Sequence, residues 1–186
     1  MHIMGMDKFL SLHLNTFMTI IIMEESMQLI SVKIIAPPDT NLILGQTHFI
    51  KSAEDLYEAL ISSAPGIKFG LAFSEASGKC LVRTEGNDDE LIKAAQENAI
   101  EIGCGHSFIV FMRNGYPINV LNSIKNVQEV CNIFCATANN IEVIIAQTEQ
   151  SRGILGVIDG ESPHGVESAK DKDERRSFLR TIGYKR

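Results

Sequence analysis

The sequence predicts an α/β fold, a single three-layer α-β-α domain built on a mixed sheet, with an α+β arrangement as the alternative. Three observations carry this. Short apolar runs rich in β-branched and aromatic residues alternate with longer stretches of helical period. Turn-forming pairs, Pro37-Pro38, Pro65-Gly66, Asn114-Gly115 and Asn139-Asn140, stand between them. A chain of 186 residues without internal repeat or low-complexity segment builds one substantial core.

In chain order, residues 29–35 and 41–44 are the first strands, parted by Pro37-Pro38. The stretch SAEDLYEALISSAPG reads as a helix. Ser52 is placed to cap it, Asp55 holds the capping-box position, and Leu56, Ala59, Leu60 and Ser63 share one face before Pro65-Gly66 ends it. IKFGLAFSEASGKCLVRTEG is a hairpin with Ser77-Gly78 near its turn. Asn87, with Glu90 three residues on, opens a second helix whose apolar positions Leu91, Ala94, Ala95, Ala99 and Ile102 recur at helical spacing. Gly103 suits the left-handed position at its end. Residues 107–112 form a core strand, Asn114-Gly115 a turn, and residues 118–130 a third helix. Strands at 133–137, 141–148 and 154–158 follow, and a last helix lies within 170–182.

Composition narrows the function classes. A net charge of −6, from 17 basic and 23 acidic side chains, speaks against a general nucleic-acid binder. The charge is uneven: residues 170–186 carry seven basic side chains against three acidic ones, a local +4 that leaves −10 for the rest. Such a tail is either a solvated amphipathic helix or a dock for an acidic neighbour. The four cysteines, Cys80, Cys104, Cys131 and Cys135, contain no C-x-x-C pair. Cys104, His106, Cys131 and Cys135 can be combined into a four-ligand site on paper. Buried free thiols in apolar runs are the simpler reading, so no metal is expected and a reducing cytoplasm fits. Residues 9–23 are apolar but interrupted by polar side chains and too short to span a bilayer. No membrane partner is expected. Residues 1–26 read as an extension, and the domain as 27–186.

Several loops hold groups that carry chemistry. GCGHSF follows a helix and enters a strand, the reverse of a dinucleotide fingerprint, and no P-loop motif occurs. His106 is then either a presented imidazole or a core histidine. His48 and Lys51 sit between a strand and the amino end of the Ser52 helix, a setting that suits phosphate or serves as an ordinary loop. Asp159 directly follows an apolar strand in a Gly/Pro-rich loop, either a functional carboxylate or an Asp-Gly turn. Arg152 stands at the other end of that strand. Thr137 and Asn139 end the run CATANN, where they make good turns and also suit base or ribose edges. Asn119 and Asn122, three apart beside Ile118 and Leu121, need partners if that helix start is buried.

Seven collinear blocks carry a resemblance: ILGQTHFIKSAEDLYEAL, PGIKFGLAFSEASG, RTEGND, GCGHSFIVFMRNGYPINVLN, VCNIFCATAN, SRGILGVIDGESPHGVES and LRTIGYK. From about Met27 onward the chain resembles the archaeal and bacterial adenosine-specific kinases. The resemblance implies a compact α/β domain, a homotrimer, and adenosine or AMP as ligand, with a phosphohistidine in a phosphotransferase reaction. A non-catalytic nucleoside or AMP binding module is the alternative. Both His48 and His106 match the family's blocks, whereas His164 stands where related sequences often have lysine. With that resemblance the roles fall as follows. His106 is the phosphoacceptor and Asp159 the base or ribose partner. His48, Lys51 and Arg152 neighbour the phosphate. Asn119, Asn122, Thr137 and Asn139 contact the nucleoside. No motif identifies the phosphoryl donor, and a magnesium ion is compatible with the chemistry.

Overall fold

The computed structural model describes residues 27–185. The expected extension, 1–26, lies outside the described residues. Eight strands and four helices follow one another as β1 (Gln28–Lys33), β2 (Asn41–Thr47), α1 (Ser52–Ser63), β3 (Lys68–Ser74), β4 (Val82–Gly86), α2 (Asp89–Ile102), β5 (Ser107–Arg113), α3 (Pro117–Lys125), β6 (Val130–Thr137), β7 (Ile141–Gln147), β8 (Arg152–Asp159) and α4 (Ala169–Thr181).

The helix and strand content expected from the sequence is present, in its α+β form. Where one mixed sheet was expected, the described strands make two sheets, of order β4-β3-β5-β2-β6 and β1-β7-β8, with every ladder antiparallel. The reason is the place of β5. β2 and β3 run in the same direction, but β5 enters between them and pairs antiparallel with both.

The central strands of the five-stranded sheet are buried on both faces, which is why FIVFM reads as an unbroken apolar run rather than an alternating one. The period of two still sorts its side chains. Ile43, Phe73, Phe108, Val110 and Met112 pack with Leu56 and Leu60 of α1 and Val120 and Ile124 of α3. Leu42, Leu44, Ala72, Ile109 and Phe111 pack with Leu91, Ala95 and Ile102 of α2 and with Val143 and Ile145 of the small sheet. The layers are therefore α1 and α3, the large sheet, then α2 beside the small sheet. Gly70 permits the tightest approach, since a Cβ there would stand 2.0 Å from the Leu91 backbone carbon.

Boundaries moved where side chains took other partners. Asp88, not Asn87, caps α2 through the Leu91 N–H, while Asn87 bridges the Phe69 N–H and the Ile67 carbonyl. Gly103 ends α2 in the left-handed conformation, φ 61°, as its position implied. Lys51 is the first flanking residue of α1, and the Ser52 hydroxyl bonds back to the Phe49 carbonyl instead of capping. The third helix stops at Lys125 rather than 130, because the chain turns through Val127 and Val130 to enter β6.

Candidate functional site

Two clusters of polar side chains gather at opposite ends of β2. Thr47 lies opposite Val130 at one end, and Leu42 opposite Thr137 near the other. Seven extended residues separate them by about 20 Å, more than one mononucleotide spans.

The first cluster surrounds the amino end of α1. After α2 the chain must reverse through Gly103 and Gly105 to enter β5, and His106 completes the reversal at φ 61°. A non-glycine residue there costs about 1–3 kcal/mol unless its surroundings hold it. Two backbone bonds do so: the His106 N–H donates to Ser74 O at 2.7 Å, and its carbonyl accepts from Thr47 N at 2.9 Å. The half-buried ring stacks on Phe73, centroids 6.2 Å apart and planes 12° from parallel. Ser74, next along β3 and therefore turned to the sheet's other face, has a buried hydroxyl with no hydrogen-bond partner.

On the other side of His106, Thr47 is fully buried. Its hydroxyl shares a bond with Ser52 Oγ and donates to the Glu129 carbonyl at 2.9 Å. That carbonyl also accepts from the His48 N–H at 3.2 Å. The Glu129 side chain, buried, meets Lys51 Nζ through Oε1 at 2.6 Å, and Oε2 is buried without a partner. Lys51 also bonds Asp55. Asp55 first, and Glu129 second, raise the Lys51 pKa, so the ammonium stays charged. His48 is exposed and anchored by its backbone.

Arg152 comes to the far side of this end through a parallel bridge to Cys104. Its Nε donates to Gln147 Oε1 at 2.7 Å and its Nη1 to the Glu101 carbonyl at 3.0 Å. A cation at the carboxyl end of α2 is favourably placed against the helix dipole. Nearby, Glu75 takes the Leu81 N–H on Oε2 and Arg83 Nε and Nη2 on Oε1, and these bonds, Leu81 first, hold its carboxyl below the usual range. Cys104 and Cys135 are thiols raised by burial to about 11.

The second cluster is exposed and closes on itself. Asp159 Oδ1 accepts from Thr137 Oγ1 and Asn139 Nδ2, each at 2.9 Å, and the Asn139 N–H donates to Thr137 Oγ1 at 3.1 Å. Two open clefts, of about 620 and 890 Å³, share Asn139 and Asn140 as a common wall. The Asn119 Oδ1 accepts from the Tyr116 N–H at 2.9 Å at the start of α3. Asn119 and Asn122 are both exposed, so neither needs a buried partner. α3 turns Val120 and Ile124, one helical turn apart, toward the core and leaves the asparagines on its outer side.

The structure thus gathers His48, Lys51 and His106 at one end of β2, with Arg152 across the same end. Thr137, Asn139 and Asp159 meet at the other. His106 and Asp159 do not meet. Sequence reasoning missed Glu129, Thr47 and Ser74. Glu129 left one signal: it is the only charged residue between Lys125 and Glu142, directly before a strand.

Residues 32–185 match the family model described as adenosine specific kinase. The crystal structure of the PH1918 protein from Pyrococcus horikoshii OT3 is similar at a TM-score of 0.83 and 43% identity, covering 86% of this chain and 99% of that one. Among curated proteins none matches.

Proposed function

The chain belongs to the adenosine-specific kinase family, and from that premise we propose that it binds adenosine or AMP and passes the 5′-phosphoryl group to and from His106. The setting of His106 carries this reading. The imidazole is stacked on Phe73, on a backbone held in the left-handed region by two hydrogen bonds, at the same end of β2 where a buried Glu129 carboxylate oxygen has no partner. Fixed geometry of this kind is what phosphoryl transfer needs, since catalysis there is mostly positioning and charge neutralisation.

Starting from AMP, an imidazole nitrogen attacks phosphorus, the P–O5′ bond breaks, and O5′ takes up a proton as adenosine leaves. The reverse returns the phosphoryl group to the 5′-hydroxyl. His48, Lys51 and Arg152 are the proposed phosphate neighbours. Two carboxylates engage Lys51, and Arg152 is bonded to Gln147 and a helix carbonyl, so the exposed His48 is the least committed of the three.

A second reading, a nucleoside or AMP binding module without turnover, is favoured by one observation. Asp159, Thr137 and Asn139 form their network beside two clefts about 20 Å from His106. There Asp159 is a ribose partner, and Asn119 and Asn122 flank the nucleoside from the start of α3. A cytoplasmic homotrimer belongs to both readings. Exposed Leu155 and Ile158 of β8 and Phe178 of α4, apolar surface suited to burial against another copy, support the assembly.

Exchange of labelled adenosine into AMP, with unlabelled AMP as the sole phosphoryl source, tests the transfer. The protein is expected to catalyse it, with label on His106 in peptides mapped at alkaline pH. His106→Asn is expected to lose both exchange and label while keeping adenosine affinity within a few-fold. Label on His48 reverses the two histidine roles. Binding without exchange or label, lost in Asp159→Asn, establishes the second reading.

A further inference from the structure

We propose that Glu129 is the carboxylate that exchanges a proton with the substrate's 5′-oxygen, an inference that rests on phosphoryl transfer at His106. Three observations support it. A carboxylate oxygen buried without a donor is costly, and native structures rarely leave one unless a ligand or water completes it. Glu129 Oε2 is such an oxygen, on a side chain only 5% exposed. The second observation is register. Thr47 accepts Val130 as its neighbour on one side and donates its N–H to the His106 carbonyl on the other, so Glu129 and His106 flank Thr47. Their backbones are two inter-strand spacings apart, about 10 Å.

The third observation is the face they share. The His106 ring lies on Phe73, which packs in the core beneath α1 and α3. Glu129 meets Lys51 at the amino end of α1. Lys51, half-exposed, bonds Glu129 Oε1 and Asp55 and leaves Oε2 without a partner. Asp159, the carboxylate singled out in the sequence, stands at the opposite end of β2.

The step balances with AMP and adenosine alone. In the synthetic direction the 5′-hydroxyl oxygen attacks phosphorus on His106, the P–N bond breaks with its electron pair returning to the ring, and the hydroxyl proton passes to Oε2. In the reverse direction the protonated carboxyl returns that proton to O5′.

Two measurements test this. Glu129→Gln is expected to slow adenosine–AMP exchange by about 100-fold or more, the usual contribution of a positioned general base, while adenosine binding stays within a few-fold. A merely structural Glu129 would lower binding and melting temperature together instead. The unaltered protein supplies the second measurement, independent of how the variant folds. It is expected to bind 5′-deoxyadenosine about tenfold more weakly than adenosine, because the carboxylate then stays unpaired, and 2′-deoxyadenosine almost as well as adenosine. Exchange at full rate in Glu129→Gln, or equal binding of adenosine and 5′-deoxyadenosine, overturns the assignment and leaves transfer at His106 standing. Absence of exchange in the unaltered protein overturns both.

Discussion

The two ends of β2 treat their polar groups in opposite ways. At the Asp159 end the carboxylate, the threonine hydroxyl and the asparagine amide satisfy one another in the open, beside clefts wide enough for a nucleoside. At the His106 end Thr47, Ser52, Ser74 and Glu129 are buried, and two of their atoms, Ser74 Oγ and Glu129 Oε2, have nothing to bond. Exposed networks trade protein partners for water at little net cost, whereas buried ones depend on every partner. The difference teaches where stability was conceded: the incomplete cluster is the one that a ligand would complete.

One substitution applied at both ends breaks the comparison most sharply. Thr47→Val removes a fully buried hydroxyl and leaves Ser52 and the Glu129 carbonyl short of a partner, so it is expected to cost about 1–3 kcal/mol. Thr137→Val removes an equivalent hydroxyl from the half-exposed end and is expected to stay within about 0.5 kcal/mol. Urea denaturation of the two variants measures both. Equal losses would show that burial does not separate the ends.

Acid sharpens it next. Glu75 near His106 and Glu90 at the other end both have depressed carboxyl pKa values, Glu75 through Leu81 and Arg83 and Glu90 through Arg113. A depressed carboxylate contributes stability that is fully present above its unfolded pKa and is lost as pH falls through its folded one. Stability is therefore expected to drop as pH falls below the ordinary glutamate range. The Glu75 side chain is 11% exposed against 60% for Glu90, so Glu75→Gln is expected to flatten the acid limb more than Glu90→Gln. Chemical denaturation across pH 5 to 3 tests the order.

The smallest effect expected is from shortening the chain to begin at Met27, since the family match starts at residue 32. Melting temperature and adenosine affinity are expected to hold, and a clear loss in either would tie residues 1–26 to one of the two ends.

Much of the fold was legible because local signals agreed with the tertiary outcome. The run FIVFM, the Gly103 stop and the Asn114-Gly115 turn each meant in three dimensions what they meant in sequence. Asn87 misled by one residue because Asn87 and Asp88 are both good cap formers, and the first found a strand to bridge. The division into two sheets was not legible, since periodicity shows that a strand exists and not which strand it pairs with. The same gap hid the site's geometry. His106 and Asp159 each end an apolar strand region, but only strand direction reveals that they end it on opposite sides. Glu129 stayed hidden because its meaning depends on Lys51, 78 residues earlier in the chain.

The insertion of β5 between β2 and β3 sets the order in which the molecule can be made. Until residues 107–113 arrive, β2 and β3 are parallel edges with no shared ladder, each carrying unpaired backbone groups. The small sheet waits longer still, because β1 at residues 28–33 pairs with β7 at residues 141–147. A chain leaving the ribosome amino end first therefore holds its opening strand unmatched through most of its synthesis. Such long-range closure makes folding slow and concerted, and makes the interval before it the time of greatest exposure to aggregation.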